Sequence, residues 1–189
     1  MLSNFSKSLA GFITKDLNYD EEKNEIVSYA IEMFLLGVVG FLAILLLGFV
    51  FNALLPAAIA AISGGVLRRV SGGAHFDTPL KCLGLGAIIY SLIGVLANYL
   101  LQVGSTNWIN MIFILLCLII VFLFAPVDSE AKPIHSQTLR NKLRLSSVLF
   151  IIFILIFTIL NDNLLINISA MLGILYQSLT LLPIFNKGR

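Results

Sequence analysis

Apolar runs too long for a soluble core decide most of what this chain can become. They lie at 26–61, 83–101, 108–127, 145–160 and 164–182, and several exceed the ~18 residues at which a membrane-spanning helix is expected. The first is too long for one crossing. Pro56 and the "SGG" at 63–65 interrupt it, so two helices are expected, near 26–51 and 54–67, the second short or partly re-entrant. With 59% of 189 residues hydrophobic, 12% charged and a mean hydropathy of +0.99, the chain stands well above the roughly 45–50% apolar content of soluble domains. The expected fold class is all-α: a polytopic integral membrane bundle of about six segments, forming a single membrane-embedded domain over 1–189.

Orientation follows from where the twelve Lys and Arg fall. Lys7, Lys15 and Lys23 precede the first helix, and Arg68, Arg69 and Lys81 form a second group. Lys132, Arg140, Lys142 and Arg144 form a third, and Lys187 and Arg189 end the chain. Two helices separate each basic group from the next, and the alternate connections, near Asn52, at 102–107 and at 161–163, carry no Lys or Arg. The positive-inside rule then puts both termini, the stretch 68–82 and the basic loop 126–144 on the cytoplasmic side of the cell membrane. A cleavable leader is not expected, because the first apolar run follows acidic Asp20, Glu21 and Glu22 and is too long for one. Those acids, with Glu25, suit the positive dipole end of the first spanning helix.

Residues 1–25 read as an amphipathic segment. Leu2, Phe5, Leu9, Phe12, Ile13 and Leu17 fall within about 140° of a helical wheel at ~100° per residue, mostly opposite Asn4, Lys7, Ser8 and Lys15. Such a helix rests on the inner leaflet or packs against the remainder of the chain. Cys117, within "FILLCLII", reads as a small packing residue. Cys82, in a reducing compartment, is not expected to pair with it.

The polar interruption "RRVSGGAHFDTPLKC", 68–82, is the stretch suited to chemistry. On an unbroken helix His75 and Cys82 would stand ~10 Å apart along the axis, at 1.5 Å per residue, too far for direct proton transfer. The chain must bend between them. Gly72 and Gly73 permit a tight turn, and Thr78 followed by Pro79 reads as the N-cap and first residue of a new helix. Cys82 then falls in that helix's first turn, where the positive potential of the helix start and of Lys81 or Arg68 favours the nucleophilic thiolate. His75 is placed to take the thiol proton and return it to a leaving amine. Asp77 or Ser71 would orient the imidazole, unless Asp77 caps the helix, and backbone N–H groups near Gly72 and Gly73 are candidates to hold an oxyanion. Two Cys and two His are too few for the four ligands of a closed zinc site, and His135 reads as solvated. Glu32, about two turns inside the first spanning helix, calls for a partner such as Lys132 or for a watery cavity, unless it sits at the membrane surface. Asp128 and Lys132, four apart, form an exposed ion pair or position a substrate tail.

The pattern Arg68-x-x-Ser71-Gly72-Gly73-x-His75, then Cys82 after six residues, resembles the accessory gene regulator protein B family of bacterial membrane cysteine endopeptidases. "SYAIE" (28–32), "APVDSEAKPI" (125–134) and "LGILYQSLTLLP" (172–183) are similar to family patterns in the same order. Position 30 is Ala where the family usually has Gly. The resemblance implies that Cys82 is the nucleophile and His75 its base, with Arg68 and Gly73 required by the site. It further implies a quorum-sensing propeptide as substrate, cut at its C-terminal tail and cyclised to a thiolactone or lactone, a homodimer in contact with membrane lipid, no cofactor and no nucleic-acid partner. Lys132, Asp128, Glu32 and Gln177 are the substrate-binding candidates. The rival is a small transporter or peptide exporter with Glu32, Asn98 and Gln177 lining a path. A lipid-modifying transferase would want clustered acidic metal ligands, and only Asp77 is near.

Overall fold

A computed structural model describes residues 2–14, 21–74, 78–128, 134 and 136–186. Seven α-helices follow in order: α1 (Leu2–Thr14), α2 (Glu21–Val50), α3 (Leu54–Ser71), α4 (Pro79–Gln102), α5 (Asn107–Phe124), α6 (Gln137–Leu160) and α7 (Leu164–Leu179), with a 3-10 turn at Pro183–Phe185. Five of them, α2 to α6, are long and apolar enough to cross a membrane. The sixth expected segment is α7, whose 16 residues span only about 24 Å at 1.5 Å each. It lies in the middle of the bundle, and every residue from Asn167 to Ile174 is buried, so other helices rather than lipid surround it. The chain is a multi-pass membrane protein.

The break in the first long run falls at Asn52, which adopts φ 54°, a left-handed conformation that Asn tolerates better than most residues. Pro56 does not interrupt a helix. It stands in the first turn of α3, where a missing N–H costs little. The "SGG" at 63–65 does not interrupt one either, since α3 runs unbroken to Ser71. The first of its two glycines serves close packing: a Cβ on Gly64 would come within 2.7 Å of the Gly173 carbonyl of α7. Ser63 Oγ donates across the same interface to the Ala170 carbonyl at 3.2 Å. Small residues are how membrane helices approach without a hydrophobic driving force between them, and they make α3 and α7 the tightly packed centre.

At one end of the bundle an asparagine knot ties three helices together. Fully buried Asn167 donates to Asn107 Oδ1 at 3.0 Å and to the Asn161 carbonyl at 2.8 Å, and accepts from Asn161 Nδ2 at 2.8 Å. Asn163 caps α7 through Ile166 N–H. Asn167→Leu is expected to cost about 1–3 kcal/mol, the penalty for buried polar groups left unpaired. Thermal unfolding in detergent would measure this, with no change in the chemistry at the opposite end.

α1 lies against α2 through a small and polar edge, Ser6, Ala10 and Thr14, all buried. Thr14 Oγ1 bridges the Ala10 carbonyl at 2.8 Å and Asn24 Oδ1 at 2.7 Å. Phe12 and Ile13 stay exposed. Of the two placements open to this segment the structure shows the packed one: α1 meets the bundle by one edge and leaves Phe12 and Ile13 outside. The basic stretch 126–144 is shorter as a loop than expected, because Ser136 caps a helix that already holds Arg140, Lys142 and Arg144 in its first turns.

Candidate active site

The end of α3, the start of α4 and the end of α7 meet at the basic end of the bundle. α4 begins as its sequence specifies. Thr78 is the N-cap, its side chain accepting from Lys81 N–H at 3.4 Å, and Pro79 follows as the first helical residue. Cys82 N–H donates to the Thr78 carbonyl at 3.2 Å, which puts Cys82 in the first turn, half-buried and not in a disulfide. Cys117 is buried and likewise unpaired with another cysteine.

α3 ends when Gly72 N–H bonds back to the Arg68 carbonyl at 3.0 Å. Gly72 and Gly73 then take φ of +68° and +132°, values that side-chain-bearing residues rarely adopt. A Cβ on Gly73 would also lie 2.6 Å from Thr180 Oγ1 and 3.0 Å from Gln177 Nε2. The turn is pressed against the end of α7.

Gln177 organises that contact. It is fully buried, and its Nε2 donates to the Gly72 carbonyl at 2.7 Å and to Ser71 Oγ at 3.3 Å. Its Oε1 accepts from Arg68 Nη1 at 3.3 Å, while Arg68 Nη2 donates to the Ala74 carbonyl. Ala74 N–H donates to the Thr180 carbonyl at 3.3 Å. A planar guanidinium can serve two acceptors in fixed directions where an ammonium acts as a point donor. The main chain from Ser71 to Ala74 is therefore held on both sides, and Ala74 is bonded directly to His75.

Beneath this turn Tyr90 of α4 and Tyr176 of α7 pack edge to face, ring centroids 5.5 Å apart. Both lie within electrostatic reach of Arg68 and Cys82. Of the other sequence candidates, Ser71 is buried with its hydroxyl engaged by Gln177. Asp128 pairs with Arg140 of α6 at 2.7 Å, and Glu32 is half-buried on α2. His75, Asp77, Lys132 and His135 lie outside the described residues. Among the described residues no group of three or more His, Cys, Asp or Glu gathers to hold a metal ion.

Sequence patterns do not single out Thr180, Val127, Arg140 or Arg144 as parts of the site. The arginines carry a signal, spaced four apart on one helical face, but their place in a generally basic stretch masks it.

Comparison with known proteins gives the family. The chain matches the family Accessory gene regulator B over residues 6–181. It is 31% identical over 200 residues to AgrB-like protein 2 of Clostridium perfringens (strain 13 / Type A), covering 98% of this chain and 94% of that one. It is also 30% identical over 181 residues to an AgrB-like protein of Listeria monocytogenes serotype 4a (strain HCC23), covering 93% and 85%. No solved structure matches it. A family match that takes in every helix from α2 to α7, the glycine turn and Cys82 leaves one conclusion: the chain belongs to the accessory gene regulator B family.

Proposed function

We propose that this protein, within the accessory gene regulator system, is a membrane cysteine endopeptidase that cuts a signalling propeptide and closes its ring. One observation carries the reading: the backbone leading to His75 is anchored by Arg68, Gln177 and Thr180, while Cys82 sits one turn beyond the Thr78 cap at which α4 resumes. A nucleophile in the first turn of a helix and a base on the short loop before it need that anchoring to hold a productive geometry.

In the first step His75 takes the proton of Cys82, and the sulfur attacks a peptide carbonyl. A C–S bond forms, the C–N bond breaks, and His75 returns the proton to the departing amine of the C-terminal tail. The thioester left on Cys82 is then attacked by a thiol or hydroxyl within the same peptide, which releases Cys82 and yields a thiolactone or lactone. Exchange of one thioester for another costs little free energy, so keeping water from the acyl group favours ring closure over hydrolysis. The placement of Cys82 among helices that cross the membrane, with Tyr90 and Tyr176 below it, suits that exclusion. The active site faces the cytoplasm on this reading, because the basic residues gather at the same end, and a substrate with an amphipathic helix would reach it along the inner leaflet.

The test is to co-express the protein with a candidate propeptide, a short chain with an amphipathic segment, a Cys- or Ser-containing core and an acidic tail, quench in acid and map the adduct by mass spectrometry. A hydroxylamine-labile acyl group on Cys82 is expected. Cleavage that proceeds with no such adduct, and equally in a Cys82→Ala protein, would overturn the assignment.

A further inference from the structure

Residues 125–128 form a short extended strap between α5 and α6. α6 grips it at both ends: Arg144 Nε donates to the Ala125 carbonyl at 2.9 Å, and Arg140 Nη2 pairs with Asp128 Oδ2 at 2.7 Å. Between these anchors Val127 N–H donates to the Ser71 carbonyl at 2.9 Å, and Val127 forms a parallel bridge with Gly72. The fit is close enough that a Cβ on Gly72 would overlap the Val127 carbonyl. The strap thus lies along the side of the glycine turn that Gln177 and Thr180 leave free.

We infer that Arg140, Arg144 and Asp128 are positioning residues: they clamp the 125–128 strap so that it fixes the turn at Ser71–Gly72, and with it the placement of His75 against Cys82. The inference rests on the peptidase reading above. The energetics separate this role from a purely structural one. The Arg140–Asp128 pair is about one-third to two-fifths exposed, at 35% and 41%, and such pairs contribute only about 0–1 kcal/mol to stability. The bundle is held elsewhere, at the α3–α7 contact and the asparagine knot. Geometry at a reacting pair is far less forgiving, since a displacement of ~1 Å costs on the order of a hundredfold in rate. Among the described residues Asp128 Oδ1 is buried without a hydrogen-bond partner, and Arg140 is the donor to the other oxygen of that carboxylate.

The experiment uses the full-length protein in detergent on a Cys117→Ala background, with iodoacetamide as probe of Cys82 and the propeptide as substrate. Arg140→Gln, Asp128→Asn and Arg144→Gln should each slow both alkylation and cleavage at saturating peptide, by roughly tenfold to a hundredfold, with KM unchanged. Arg140→Lys keeps the charge pair and should stay near the parent rate. The exchanged pair Asp128→Arg with Arg140→Asp should recover most of the rate lost in either single variant, which a folding defect would not do. Parent-like turnover in all three variants, or a change confined to KM, overturns the inference. If His75→Ala lowers neither alkylation nor cleavage, the peptidase reading fails and the clamp falls with it. If His75→Ala lowers both and the Arg140, Asp128 and Arg144 variants do not, only the clamp falls.

Discussion

Cys82→Ala and His75→Ala are each expected to abolish propeptide cleavage, by about 10⁴-fold or more, because nucleophile and base act as one unit. The same logic makes the double variant no worse than either single one, a non-additivity that independent contributions would not produce. Both variants should insert and stay monodisperse. Cys82 is half-buried in a helix first turn whose cap and backbone bonds come from Thr78, and His75 is followed within three residues by that cap. Cys82 stands on α4, outside the α3–α7 contact that holds the bundle, and His75 lies in sequence beyond the end of α3. The measurement is cleavage of the co-expressed propeptide, followed by mass spectrometry, with membrane extraction as the control. Ordinary processing by either variant would remove the chemistry and return the transporter reading.

The second large effect is expected at Gln177. Gln177→Leu preserves approximate volume and removes one acceptor and two donated bonds from a fully buried position. The Gly72 carbonyl then loses its 2.7 Å donor, and Arg68 loses one of the groups that aim it at Ala74. Each buried group left unpaired costs about 1–3 kcal/mol, so a lowered melting temperature accompanies the loss. Cleavage at saturating peptide should fall about a hundredfold, the scale set by misplacing reacting groups. Gln177→Glu should not rescue it, because a carboxylate oxygen would face the Gly72 carbonyl in place of an N–H donor. A substrate-contacting or path-lining Gln177 predicts something else: a raised KM with turnover intact. That result would sink the positioning role.

Much of the site is legible in the amino-acid order. Thr78 and Pro79 announce the start of α4, because a hydroxyl followed by proline meets the needs of a helix N-terminus within four residues. Gly72 and Gly73 announce a turn for an equally local reason, their freedom at positive φ. Pro56 and the "SGG" at 63–65 carry the marks of breaks and are not breaks, since the same residues serve a first turn and a close helix contact, and only the neighbour tells which. Gly64 looks like a turn residue until the Gly173 carbonyl is brought against it. The spacing of four points Asp128 towards Lys132, which lies outside the described residues, and does not point to the pair that the fold makes with Arg140 of α6.

The sequence by itself determines that about six segments enter a membrane, which connections carry the positive charge, and that a helix starts at Thr78–Pro79 with Cys82 in its first turn. Those are properties of composition and of short-range periodicity, and they need no folded neighbour to be true. The anchoring of the glycine turn before that helix comes only with the packed bundle: Gln177 reaches Ser71 across 106 residues, and the strap at Val127 reaches it from a third place in the chain. A buried amide satisfies whichever polar groups the fold delivers to it, and nothing in its own sequence neighbourhood says which those will be.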